Sequence, residues 1–233
     1  MLWEANVQEA SGSMTVTTRN IHKFIELLRE LYSQSKAPVI SLVAAHGSSP
    51  FEILAATILS LRTKDEVTAA ASRRLLQRAS TPEAMLRLDQ KELERLIYPV
   101  GFYQTKAGRL LEISRILLER HQGQVPDSLE ALLELPGVGR KTANLVLIEG
   151  FHKPGMCVDT HVHRISNRIG FVATRDPEAT EFALRRKLER RYWMEFNKLL
   201  VAFGQTMCKP VSPFCSRCPA VDMCPRIGVG TSR

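Results

Sequence analysis

Two single residues and one cluster in this chain have types and spacings that could do chemistry. Lys141 follows Leu135-Pro136-Gly137-Val138-Gly139-Arg140, and Asp159 stands eighteen residues further on in Val158-Asp159-Thr160-His161. A lysine amine can attack an electrophilic sugar carbon and form a Schiff base. Arg140 and a helix N-terminus at this point would both disfavour a further positive charge, so the sequence predicts a lysine with a free-amine population. Asp159 precedes Val162, Ile165 and Ile169, the apolar stripe of a helix, and is therefore expected to cap it. A carboxylate fixed in that way is also oriented. Across a groove from Lys141 it would stabilise a cation developing on the substrate. Cys208, Cys215, Cys218 and Cys224 form the pattern Cys-x6-Cys-x2-Cys-x5-Cys. In a reducing compartment so many soft ligands in one short loop indicate a metal centre rather than disulfides, and spacing alone leaves both zinc and iron–sulfur open. Cys157, outside the pattern, is expected to be a buried thiol.

The elements that must hold these residues read as helices. Ile21, Phe24, Ile25, Leu28 and Leu31 follow the spacing of an apolar helical stripe, as do Phe51, Leu54, Ala55, Ile58 and Leu59. Leu110, Ile113 and Leu117 mark another, and Phe196, Leu199, Leu200 and Phe203 a further one. Ser49-Pro50-Phe51-Glu52 has the composition of a capping box with proline at the first helical position. Thr81-Pro82 and Asp176-Pro177 repeat the cap-then-proline pattern, and Asp127 with Glu130 offers another box. Alternating strand patterns are missing, so the fold class expected is all-α.

Gly137 and Gly139 allow two helices to join by a very tight turn. Such a turn leaves N–H groups unpaired at the start of the second helix, where they and the helix dipole suit a DNA phosphate. The balance of charge agrees: 32 Lys+Arg against 24 Asp+Glu give a formal charge of +8 and a pI near 9.5, which permits a polyanionic partner without requiring one. No run approaches the ~18 apolar residues of a membrane span. The first eighteen residues carry Glu4 and Glu9 and are not expected to be a secretory or transit signal. The chain is expected to be intracellular: cytoplasmic and nucleoid-associated if prokaryotic.

The string from Leu135 to Ala143, with Asp159 and the four-cysteine loop following in order, resembles the endonuclease III family of helix-hairpin-helix DNA glycosylases. The resemblance covers residues 21–226. It implies two helical lobes flanking a DNA-binding cleft, a helical barrel over residues 43–153 and a second lobe from residues 21–42 with 154–233, after a flexible tail over residues 1–20. It decides the cysteine loop for a 4Fe–4S cluster. It implies a bifunctional enzyme, in which Lys141 attacks the sugar C1′, an oxidised pyrimidine departs, and β-elimination nicks the abasic site, with Asp159 assisting. Double-stranded DNA carrying a damaged base or abasic site would be the partner, and a monomer is expected.

DNA contacts are expected from Gly137, Val138, Gly139 and Arg140 of the hairpin and from Lys209 and Arg217 of the cysteine loop. Two positions depart from the familiar pattern. Arg62 stands where well-known members have a gap-filling glutamine, and Phe102 where a leucine often wedges into the base stack. Both keep a DNA-contact role open and put the opposite-base preference and the lesion range in question. His161 and His163 are expected to be structural or to lie at the DNA edge. The alternatives are a non-catalytic helix-hairpin-helix DNA-binding protein and an adenine- or mismatch-type monofunctional glycosylase. The latter lack a lysine at the position of Lys141.

Overall fold

The computed structural model describes residues 15–33, 39–45 and 47–233. The part of the expected tail over residues 1–14 lies outside these. From Val16 on the chain is docked: Val16 is buried in a hydrophobic core, and its N–H donates to the Ile169 carbonyl at 3.3 Å.

All regular structure among the described residues is helical. In chain order the helices are α1 (Ile21–Ser33), α2 (Val39–Ala45), α3 (Pro50–Ser60), α4 (Asp65–Arg78), α5 (Pro82–Leu86), α6 (Gln90–Ile97), α7 (Tyr103–His121), α8 (Leu129–Leu133), α9 (Arg140–Phe151), α10 (Thr160–Arg168), α11 (Pro177–Lys187) and α12 (Trp193–Thr206). Most starts follow the caps written in the sequence. Ser49 and Glu52 form a reciprocal capping box at α3, while Thr81, Asp89 and Asp176 each accept an N–H from the first turn of the next helix. One start differs. Ser128, not Asp127, caps α8 by accepting from the Ala131 N–H, because Asp127 is drawn away into an ion pair with Lys153.

Two main cores result. The first joins residues between Phe51 and Leu147, from α3 through α9. Its axis is α3, buried on all sides from Ile53 to Leu59 rather than along one stripe. It packs against α2, α4, α7 and α9, which no single-face pattern could reveal. The second core joins α1 to the chain from Met156 onward, with Phe24, Phe171 and Phe196 fully enclosed. Here α12 packs between α1 and α10. A smaller cluster links Val39 and Ile40 of α2 to Ile53 and Ala56 of α3. Asp159 stands at the start of α10, which belongs to the second core, and Lys141 in α9, which belongs to the first.

Candidate active site

The turn between α8 and α9 uses its two glycines differently. Gly137 has φ +74°, and a Cβ there would meet the Arg109 side chain of α7 at 2.8 Å. The positive φ demands glycine, whereas the flexible end of Arg109 could shift aside. Gly139 is extended, at φ −93°, and is the N-cap of α9. Having no side chain, it makes no capping bond, and the N–H groups of Gly139, Arg140 and Lys141 have no partner among the described residues. These open donors at the positive end of a twelve-residue helix suit an anionic oxygen. Val138 is buried in the first core and its N–H donates to the Leu135 carbonyl at 3.1 Å, so it holds the turn rather than offering a donor at this surface.

Lys141 is the second residue of α9 and exposed. Its carbonyl accepts a long bond from the Cys157 thiol at 3.6 Å. Asp159 caps α10 through one oxygen: Oδ1 accepts from the N–H groups of His161 at 2.9 Å and Val162 at 2.8 Å, leaving Oδ2 without a partner among the described residues. The charges of Lys141 and Asp159 both act on Cys157 and on the His161 ring, so the two groups share one locality. Burial pushes the Cys157 thiol up to about 12, with Lys141 opposing and Asp159 reinforcing the shift, so it stays protonated as an inert packing group. His161 is pushed down by burial, against the pull of Asp159.

An ion-pair network missed by the sequence reading fixes the first turn of α9. Glu181 of α11 is 2% exposed and receives both arms of Arg140, at 2.7 and 2.8 Å, together with Arg185 at 2.9 Å. The Arg140 guanidinium also lies over the Phe182 ring. The side chain expected to meet DNA is thus committed within the protein, and Arg140 offers the surface its N–H. Buried Asn144 closes the network, donating to Glu181 and to the Arg140 carbonyl while accepting from Met156 N–H and Arg185. Burial raises the Glu181 pKa, but the hydrogen bonds from Arg140 and Arg185 outweigh it and hold the carboxyl below its usual range. The stabilisation is therefore complete above about pH 4.3 and is lost as pH falls from there through the lowered value. Glu181→Ala leaves two partly buried guanidinium groups unpaired. It is expected to cost about 3 kcal/mol in chemical denaturation at neutral pH and less near pH 3. Equal losses at both pH values would refute the assignment.

Arg62 and Phe102 lie together. Both are exposed, both have left-handed backbones at φ +53° and +57°, and the Arg62 guanidinium sits 5.6 Å from the Phe102 ring centroid. Beneath them is a buried lysine that the sequence reading passed over. Lys106, 4% exposed, donates to the carbonyls of Leu59 (2.8 Å) and Leu61 and to Thr63 Oγ1 (3.1 Å). Burial, with a smaller push from Arg109, lowers its pKa to about 8. Its position four residues before Leu110 and seven before Ile113 puts it on the apolar face of α7, and that was the readable signal.

The four cysteines are free thiols that line one pocket together with Phe24, Phe203 and Arg168. Arg168, 6% exposed, donates to Cys208 Sγ at 3.3 Å and to the Lys209 and Pro210 carbonyls. Burial and mutual repulsion raise Cys218 to about 11, so thiolates here would require a positive centre among them. Among the described residues no three such groups converge as ligands of a single ion. Lys209, Arg217 and Arg233 all stack on Phe214, which also lines this pocket.

Residues 55–190 match the HhH-GPD superfamily of base excision DNA repair proteins. Within that class, the chain is 51% identical over 177 residues to endonuclease III of Thermotoga maritima, an alignment covering 76% of this chain and 83% of that one. It is 39% identical over 231 residues to the chloroplastic endonuclease III homolog 2 of Arabidopsis thaliana, covering 92% of this chain but only 60% of that longer relative. In three dimensions it resembles a trapped endonuclease III–DNA covalent intermediate in an estranged-adenine complex, with a TM-score of 0.80, 29% identity, and coverage of 91% of this chain and 97% of that one. The chain belongs to the endonuclease III family, and it is a DNA glycosylase/AP lyase of base excision repair that binds DNA. Members of that family typically carry a 4Fe–4S cluster.

Proposed function

We propose that this chain removes oxidised pyrimidines from duplex DNA through a Schiff base on Lys141 and then nicks the abasic site by β-elimination. One observation carries the reading. An exposed lysine on the first turn of α9, beside three unpartnered N–H groups, shares its surroundings with a carboxylate that has one oxygen to spare. The N–H groups hold a phosphate and Lys141 Nζ attacks C1′ as the base leaves. The Oδ2 atom of Asp159 stabilises the positive charge growing on the sugar and steers the amine. The nitrogen lone pair then expels O4′, which takes up a proton, and the C1′–O4′ bond breaks to open the ring to the Schiff base. Loss of a C2′ proton then expels the 3′ phosphate. The DNA lies between the lobe of residues 43–153 and the lobe formed by residues 21–42 and 154–233, with the target nucleotide extruded. The protein acts as a monomer within the cytoplasm. Among the described residues no helix is long and apolar enough to cross a membrane.

Incubation with a duplex carrying an oxidised pyrimidine, followed by borohydride, tests this directly. A covalent protein–DNA adduct is expected. Base release without an adduct would indicate a monofunctional glycosylase instead.

Cys208, Cys215, Cys218 and Cys224 are the residues that would hold a 4Fe–4S cluster. Thiols spread around a pocket suit a body several atoms wide, whereas zinc at ~2.3 Å from each sulfur would draw them together. A bound cluster would brace the loop that carries Lys209 and Arg217, which would then meet the DNA backbone. The purified protein is expected to absorb near ~400 nm and to contain about four irons per chain. A colourless protein with one zinc would overturn the assignment.

A further inference from the structure

The exposed pair Arg62 and Phe102 has no account in the fold itself. A phenylalanine 62% exposed gains little from burial, and two non-glycine residues in left-handed backbone conformations are strained. Yet the protein holds both firmly. Arg62 follows α3 and Phe102 precedes α7, so two separate segments must be brought into register. Three contacts do this. The Lys106 ammonium takes the Leu59 and Leu61 carbonyls at the C-terminal end of α3 and the Thr63 hydroxyl just beyond Arg62. Thr63 Oγ1 in turn accepts from the Gly101 N–H at 3.2 Å. Gly101 approaches the Arg62 carbonyl so closely that a Cβ there would stand 2.6 Å from it. Burying a charged group to this depth is costly, and the three hydrogen bonds offset that cost.

We propose that Lys106 is a positioning residue, which fastens the two segments so that Arg62 and Phe102 enter the DNA stack as one preassembled wedge. This rests on the reading of Arg62 and Phe102 as DNA contacts. Lys106 touches neither substrate nor reacting atoms. It acts by sparing the enzyme the ordering of two segments at the moment a base is extruded, so its effect is confined to duplex substrates, where a stack must be opened.

The test compares wild type with Lys106→Met, Gly101→Ala and Arg62→Ala/Phe102→Ala. One assay is single-turnover release of an oxidised pyrimidine from a duplex. Another is borohydride trapping on an abasic site in a single-stranded oligonucleotide, which has no stack to open. A third measures fluorescence of 2-aminopurine opposite a tetrahydrofuran abasic analogue, which reports insertion without chemistry. Lys106→Met and Gly101→Ala are each expected to slow duplex release about 10- to 100-fold, to reduce the 2-aminopurine change, and to leave single-strand trapping within about twofold of wild type. Gly101→Ala separates the two segments while leaving Lys106 in place, so it decides the matter if Lys106→Met does not fold. Parallel losses on both substrates would show a merely structural lysine and overturn the proposal. A duplex defect in the Arg62/Phe102 double variant alone would overturn it too. Should that double variant match wild type on duplexes, the wedge reading itself would fall.

Discussion

Lys141→Ala is expected to give no borohydride adduct and to nick a preformed abasic site at least ~10³-fold more slowly, while binding the same duplex within a few fold of wild type. The fold should scarcely notice. Lys141 is exposed, its Nζ has no hydrogen-bond or ion-pair partner among the described residues, and such surface substitutions usually change stability by about 0.5 kcal/mol or less. The N–H groups proposed to grip a phosphate belong to the main chain and survive the substitution. Loss of chemistry with retained binding is therefore the signature of a nucleophile. Trapping that persists in the variant would move the Schiff base to another amine, and weakened binding in step with activity would reduce Lys141 to a phosphate contact.

Asp159→Asn separates the two uses of that side chain. Asparagine caps a helix about as well as aspartate, so the bonds to the His161 and Val162 N–H groups and the start of α10 should persist. The negative charge is lost. If that charge steadies the cationic sugar, single-turnover base release should fall about 10²- to 10³-fold, with thermal stability almost unchanged. A preformed abasic site, from which the base has already gone, should suffer less. Base release within a few fold of wild type would leave Asp159 as a cap and nothing more.

Much of this was written locally. The stripes at Ile21, Leu110, Val162 and Phe196 became the buried faces of α1, α7, α10 and α12 because a helix that must bury one side repeats its apolar residues at a fixed spacing. Caps at Ser49, Thr81, Asp159 and Asp176 were legible because their bonds span two or three residues. What remained hidden depends on distance along the chain. Glu181 reads as one more charge on a charged helix, and its partner Arg140 is 41 residues away. Lys106 sat in plain view on an apolar face, but nothing nearby announced that its acceptors would be carbonyls more than forty residues earlier. Likewise, Gly137 and Gly139 look equivalent as letters. Only the folded backbone shows that one is needed for its positive φ, the other for an uncapped helix end.

Helix α7 reaches two parts of the site that the chain order separates. Phe102 stands immediately before it, and Arg109, two turns along, lies against Gly137 of the hairpin. On the reading proposed here, one end of this helix opens the base stack and its flank backs the turn that holds a phosphate. The rigid rise between residues 102 and 109 is about 10 Å, or roughly three base-pair steps. On that reading α7 holds the wedge and the phosphate grip at a fixed separation, and that separation selects the nucleotide offered to Lys141.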